Sequence, residues 1–317
     1  MGRSGLSVSR VGLGTMTWGR GTDQHEAADQ LRLFLDAGGT LIDTAFSYSN
    51  GEAERLLGQL LPGTVDRDRL VLATKGGIDR RTGARVVDTS RRVLLNQLDA
   101  SLRRLGSDHV DLWQVHVWSE DTPLEETLGA LDDAVSSGRA RYVGISNYAG
   151  WQTGAAVMWQ RSWPGRAPLV STQVEYSLLA RGVEREVLPA AAVLGLGVFP
   201  WSPLGAGVLT GKYRSGTPAD SRGASDQFVA FVEKYADEHS QRVVDAVATA
   251  ADGLGVSATE VALAWVRDSP GVTAPIVGAR TAAQLRQSLS AERLTLPPAI
   301  RSALDDVSAI QVGYPER

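Results

Sequence analysis

The chain has 317 residues, is 43% hydrophobic and 21% charged, and sets 32 Lys+Arg against 36 Asp+Glu, a net charge of -4. This is the composition of an ordinary globular protein long enough for a large α/β domain, with no basic face for nucleic acid or anionic lipid. Cysteine is absent, which excludes disulfides and thiolate chemistry; residues 1–10 lack the apolar core of a signal peptide, and no run approaches the ~18 apolar residues of a membrane helix, so a cytoplasmic location is expected.

Residues 8–18 contain Val11-Gly12-Leu13-Gly14, which predicts a short hairpin or plug ahead of the main fold. Gly12-x-Gly14 is not a dinucleotide fingerprint, because Thr17 stands at the third glycine position and no strand–helix unit with a ribose-binding acid follows. The apolar spacing then predicts a helix over 26–37, stopped by Gly38-Gly39, and a buried strand from Thr40 that ends at Asp43. Helix 52–61 leads to a strand over 70–74 that ends at Lys75. Helix 90–105, with Leu94, Leu98, Leu102 and Leu105 on one stripe, leads to a strand over 110–115 that ends at His116. Helices over 124–137, 150–160 and 183–194 alternate with strands that end at Ser146-Asn147, Gln173 and Trp201-Ser202. A polar excursion over 213–240 reads equally as a lid or as a surface insertion. Helices over 241–254 and 258–267 follow, then a strand over 274–277 ending at Gly278, a helix over 281–290, a short eighth strand near Leu294 and a closing helix over 298–307.

About eight strand–helix alternations, in a chain slightly above the ~250 residues typical of the fold, predict a (β/α)8 TIM barrel. The expected architecture is one domain over 1–317, with an N-terminal hairpin and an extended loop after the sixth strand. A doubly wound open sheet is the alternative. The barrel explains a regularity that the open sheet does not: Asp43, Lys75, His116, Ser146-Asn147, Gln173 and Ser202 end six successive strands. In a barrel these positions converge on one mouth.

Asp43, Tyr48, Lys75 and His116 each have a plain structural explanation: a solvated acid, a rim aromatic, a surface charge and a satisfied core histidine. Together they make coherent chemistry. A phenol titrates at about 10, too high to exchange a proton easily near neutrality. A neighbouring ammonium favours the phenolate, and a buried ammonium in turn needs a carboxylate. An imidazole beside the phenol can hold a carbonyl oxygen or relay a proton. No side chain supplies a hydride, so a nicotinamide or flavin is required. Lysine is scarce in this arginine-rich chain; Lys75, Lys212 and Lys234 are its complement, which suggests positions where an ammonium is needed.

Several motifs stand in a familiar order: Asp43-x4-Tyr48, Ala73-Thr74-Lys75, Asp111-Leu112-Trp113-Gln114-Val115-His116, Gly144-Ile145-Ser146-Asn147, Gln173-x-Glu175-Tyr176, Trp201-Ser202-Pro203-Leu204-Gly205 and Gly278-Ala279-Arg280. From about residue 11 to 289 the chain resembles the aldo-keto reductases. The resemblance implies a (β/α)8 barrel that binds NADP(H) extended across its mouth. It implies Tyr48 as proton donor, Lys75 and Asp43 as its support, and His116 as the group that orients the carbonyl. Ser146, Asn147 and Gln173 would bind the carboxamide, and Trp201 would stack on the nicotinamide. Ser202, Leu204, Gly207 and Lys212 would belong to a strap over the pyrophosphate. Gly278, Arg280, Gln284 and Ser288 would form the adenosine end, where Arg280 favours NADP(H) over NAD(H). Ser288 departs from the asparagine of many relatives, and Thr281-x-x-Gln284 also reads as a capping box.

Trp18, Phe46 and Trp118 are expected to wall a flat apolar substrate pocket. The expected activity is NADPH-dependent reduction of a small aldehyde or ketone. The alternative is an NADPH-binding regulatory subunit similar to channel-associated relatives, with little turnover. A Schiff-base lyase at Lys75 is disfavoured because Asp43 would hold the amine charged. A short-chain reductase would need a Tyr-x3-Lys, and a metal site would need ligand spacing that the four histidines lack. Oligomeric state is left open.

Overall fold

Short apolar runs buried on both faces suit parallel strands wrapped by helices. The computed structural model describes every residue but 215, 219, 220, 226–228, 312 and 315–317, and in it eight such runs close into a barrel. The barrel begins with β1 (Gly12–Gly14), β2 (Leu41–Asp43) and β3 (Val71–Gly76). A separate antiparallel hairpin follows, β4 (Ile78–Asp79) and β5 (Val86–Val87). The barrel resumes with β6 (Val110–Val115), β7 (Ala140–Ser146), β8 (Leu169–Glu175), β9 (Gly197–Trp201) and β10 (Ile276–Val277), which returns beside β1.

Helices α1 (Gln24–Asp36), α2 (Glu52–Leu60), α3 (Arg91–Leu105), α4 (Leu124–Ser136), α5 (Gly150–Arg161) and α6 (Val187–Leu194) fill the crossovers between barrel strands up to β9. α7 (Val229–Glu233), α8 (Glu238–Leu254) and α9 (Ala258–Arg267) lie between β9 and β10, with α10 (Ala282–Ser290) and α11 (Pro298–Val307) after it. Their ends are set locally. The side chains of Asp23 and Ser90 accept from backbone N–H groups of the first turns of α1 and α3, and Gly106 ends α3 in the left-handed region.

Two expectations are corrected. Residues 12–14 are not a hairpin but the first barrel strand, paired in parallel with both β2 and β10. The eighth strand lies at Ile276–Val277; Leu294 follows a 3-10 turn instead. Asp43 therefore ends the second barrel strand, and the long excursion follows the seventh. The seam accounts for the glycines of β1: a Cβ on Gly12 would meet Ile276 Cδ1 at 2.6 Å and Leu41 Cδ2 at 2.9 Å. Close approach there demands a residue with low strand propensity.

Leu41, Val71, Leu112, Phe199 and Ile276 form an apolar cluster, with Met1, Leu6 and Val8 packed against it. Burial of each large side chain contributes about 1.5–3 kcal/mol. Part of the 213–240 excursion, namely 215, 219, 220 and 226–228, lies outside the described residues. Beyond α7 it is tied to the barrel: Lys234 Nζ and the Tyr235 hydroxyl both donate to Glu175 Oε1, at 2.5 and 2.8 Å. Among the described residues no helix is long and apolar enough to cross a membrane.

Candidate active site

Parallel strands present their carboxyl ends to one mouth, and the loop after β2 is zipped onto β3 there. Thr44 N–H donates to Ala73 O at 2.9 Å and Phe46 N–H to Lys75 O at 3.0 Å. The turn that follows brings the Tyr48 phenol over the Lys75 ammonium. Lys75 has no exposed side-chain surface and Asp43 3%, and their Nζ–Oδ1 separation is 2.5 Å. The ammonium also donates to Thr44 O at 2.9 Å and to Tyr48 Oη at 3.4 Å. Its three protons thus have three acceptors. Because Tyr48 Oη accepts from Lys75, its own proton is free to point into the cavity.

Asp43 Oδ2 accepts from Gln173 Nε2 at 2.9 Å, so both oxygens of the buried carboxylate are engaged. An acceptor-only partner fixes the amide orientation and turns Gln173 Oε1 away from Asp43. The His116 ring stands edge-on to Tyr48, centroids 5.9 Å apart at 80°.

Burial pushes the Tyr48 phenol above its usual 10.0, and the pull of Lys75 does not reverse this. The expectation that the ammonium would bring the phenol down is therefore corrected: desolvation wins at this distance. Burial opposes the Lys75 charge, but Asp43 and Tyr48 together outweigh it and raise the ammonium above 10.5. His116 is held well below 6.5, first by burial and then by Lys75, Arg85 and Arg80. Near neutrality the site is a protonated phenol, a charged ion pair and a neutral imidazole. His116 Nδ1 is buried without a hydrogen-bond partner among the described residues.

The next strands bring the amides and the indole together. Ser146 Oγ donates to Gln173 O at 2.8 Å. Asn147 Nδ2 donates to His116 O and Ser146 Oγ, while its Oδ1 accepts from Trp201 Nε1 at 2.9 Å. Asn147, Ser202 and Ala206 all sit at positive φ, which for residues with a Cβ is a local strain that recurs at functional sites.

These groups line one cavity of about 720 Å³ that runs from Tyr48 and His116 past Trp201 to Arg280. Ser202, Leu204, Gly207 and Lys212 line its middle, and Gly278, Arg280, Gln284 and Ser288 its far end. Gly207 has φ 95°, and a Cβ there would come within 3.1 Å of Lys212 Nζ. This backbone lets an anionic group approach closely under a cation, as a pyrophosphate requires. At the far end Gln284 Oε1 accepts from Arg280 N–H, one residue before the Thr281 cap, and Ser288 Oγ donates to Gln284 O. The length and lining of this cavity fit an extended dinucleotide.

Three substrate-side expectations are corrected. Trp18 is fully buried with its indole N–H on Gln30 Oε1. Phe46 is buried between the guanidiniums of Arg81 and Arg104, 5.3 and 4.5 Å from its ring centroid. Trp118 packs edge-on against Tyr148 and Trp151. None of the three lines the cavity; its wall near Tyr48 is made by Met16, Ile78, Arg80 and Arg85 instead. Nothing in the hydrophobic pattern marks those residues, because β4 and β5 are two residues each.

Residues 10–309 match the model of the Aldo/keto reductase family. The chain is 37% identical to an uncharacterized oxidoreductase, YrpG, of Bacillus subtilis, over 97% of this chain and 94% of that protein. It is 35% identical to a probable voltage-gated potassium channel subunit beta of Oryza sativa, over 100% and 97% of the two chains. It is also 35% identical to L-glyceraldehyde 3-phosphate reductase of Escherichia coli K12, over 92% and 86%. A cavity built on a buried aspartate–lysine pair under a tyrosine, in a barrel matched over this length, leads to one conclusion: the chain belongs to the aldo/keto reductase family.

Proposed function

We propose that the protein reduces aldehydes or ketones with NADPH. The observation that carries this reading is the stack of Asp43, Lys75 and Tyr48, an ion pair buried beneath a phenol that lines the cavity. Bound NADPH supplies the hydride. Trp201, Ser146, Asn147 and Gln173 would hold the nicotinamide end, where Gln173 Oε1 and Ser146 Oγ have acceptor capacity for an amide N–H. Ser202, Leu204, Gly207 and Lys212 hold the pyrophosphate. Gly278, Arg280, Gln284, Ser288 and the N-terminus of α10 receive the adenosine end, where a guanidinium suits a 2′-phosphate. His116, neutral, donates an N–H to the substrate carbonyl. Tyr48 gives its proton to the oxygen, and Lys75 stabilises the phenolate left behind.

The test is the fall in reduced-cofactor absorbance with a panel of aldehydes and ketones, run with NADPH and with NADH. Turnover with a preference for NADPH is expected. Cofactor binding without turnover of any carbonyl overturns the reading.

The rice relative named as a probable channel subunit supports a second reading, a cofactor-binding partner with slow turnover. The intact proton-donor stack favours the reductase.

A further inference from the structure

The wall beside Tyr48 and His116 holds a feature that general carbonyl reduction does not need. Arg80 and Arg85 both line the cavity there, on the hairpin of β4 and β5. The hairpin register pairs Ile78 with Val87 and Asp79 with Val86, so the next position sets Arg80 opposite Arg85. Like charges directly opposite on a hairpin are destabilising. No acid among the described residues pairs with either of them. Asp79 is spent on Arg81, which takes both of its oxygens. Asp43, the sole acid of the cavity lining among the described residues, is spent on Lys75 and Gln173. Neither Arg80 nor Arg85 makes a side-chain hydrogen bond or ion pair with any described residue, whereas Arg81 and Arg104, which flank Phe46, are both paired.

The hairpin is nonetheless held in place. Arg81 lies over the Phe46 ring, and Phe46 belongs to the same loop as Tyr48. The hairpin backbone that carries the two guanidiniums is thus tied to the loop of the proton donor. Their field reaches the reaction centre, since both depress the protonation of His116. They also lie away from the groups suited to cofactor phosphates. Lys212 and Arg280 follow β9 and β10, whereas Arg80 and Arg85 follow β3, in the part of the wall that Tyr48 and His116 share.

We infer that the substrate is an anionic carbonyl compound, an aldehyde or ketone carrying a carboxylate or phosphate that Arg80 and Arg85 clamp while the carbonyl lies between Tyr48 and His116. This rests on the reductase reading above and specifies its substrate class. Guanidiniums bind both oxyanions through paired N–H donors, and a cavity wall that carries two like charges concentrates such ligands. Phosphate, with more charge and a third oxygen, uses both arginines more fully than a carboxylate.

Matched pairs of substrates test the inference in the intact protein with NADPH. Butanal is compared with succinic semialdehyde, and glyceraldehyde with glyceraldehyde 3-phosphate. kcat/KM for the anionic member should exceed that of its neutral partner at least tenfold at low salt, through KM. The advantage should shrink as ionic strength rises past the point where the screening length falls to about 3–8 Å. In R80Q/R85Q the anionic-to-neutral ratio of kcat/KM should fall at least tenfold, and in R80E/R85E it should invert. Both variants sit on an exposed hairpin, and retained NADPH binding by fluorescence titration verifies that the barrel is intact. A larger effect on the phosphate pair identifies phosphate as the preferred anion; a larger effect on the carboxylate pair identifies carboxylate. Efficient reduction of butanal and glyceraldehyde with no anionic preference, or an unchanged ratio in the variants, overturns the inference and leaves the reductase reading standing. Absence of turnover with all four compounds and with the general carbonyl panel overturns both.

Discussion

Gln173 and Asp43, 130 residues apart in sequence, meet across the barrel mouth through a 2.9 Å hydrogen bond from Nε2 to Oδ2. The amide completes the carboxylate, whose other oxygen belongs to Lys75. Replacing Gln173 with Leu leaves a buried carboxylate oxygen unpaired, which costs about 1–3 kcal/mol. Urea unfolding should report that loss as a lower midpoint with an unchanged slope. Gln173→Glu should be worse, because it sets two carboxylates side by side. Wild-type stability in both variants would mean that Asp43 does not need this partner.

The buried pair itself predicts an asymmetry. Lys75→Met strands Asp43 in the interior and should destabilise by about 3–5 kcal/mol, whereas the double change Lys75→Met with Asp43→Leu should recover most of this. Neither variant should reduce carbonyls. Recovery of stability without activity, seen by denaturation and assay of the same samples, separates the structural part of the pair from its catalytic part.

Tyr48→Phe keeps the ring edge against His116 and removes the proton. kcat should fall by about 10²–10⁴-fold, the usual worth of a positioned acid. NADPH affinity, followed by quenching of tryptophan fluorescence, should change little. Lys75→Arg should also fail, because a planar guanidinium cannot occupy the ammonium's three-acceptor site.

Protonation should register at His116. The fold keeps this imidazole neutral in a range where the unfolded chain, with an ordinary value of 6.5, takes up a proton. The unfolded state then binds more protons, so stability rises with pH up to about 6.5 and is lost as pH falls below it. In His116→Gln that part of the acid-side slope should disappear. Tyr48 and Lys75, both raised, act in the opposite sense and erode stability as pH climbs past 10.0–10.5. Unfolding midpoints over a pH series in wild type and variant measure the difference.

Support for the Tyr48 loop also comes from farther away. Arg104 donates to Phe46 O at 3.2 Å and pairs with the buried Glu54 at 3.0 Å, while its guanidinium covers the Phe46 ring. Arg104→Met should therefore lower both stability, by about 3–5 kcal/mol for the orphaned acid, and kcat. Adding Glu54→Leu should restore the first and not the second, because the Phe46 carbonyl still lacks its donor.

Residues that end a strand were legible because position and chemistry coincide there. An apolar run closed by Asp43, Lys75 or His116 announces a mouth even when the barrel is unseen. β1 was not legible, since its glycines answer to Ile276 and Leu41 across the seam and carry no strand preference of their own. Aromatic identity alone misled at Trp18 and Phe46. Their positions are decided by Gln30 in one case and by Arg81 and Arg104 in the other, partners that periodicity cannot supply. The phenol's shift is not legible for a related reason: the sequence names the nearby charge but not the depth of burial that outweighs it. Arg80 and Arg85 pass for ordinary surface cations until the hairpin sets them opposite each other.

The chain's three lysines have a practical consequence. Lys75 lies beneath Tyr48, Lys212 lines the middle of the cavity, and Lys234 stands 5.9 Å from the Trp201 ring centroid. Apart from the chain terminus, an amine-directed reagent therefore addresses one neighbourhood of the molecule. Acylation of Lys212 and Lys234, followed by peptide mass, becomes a footprint of the mouth that needs no engineered label, with Lys75 shielded as an internal reference.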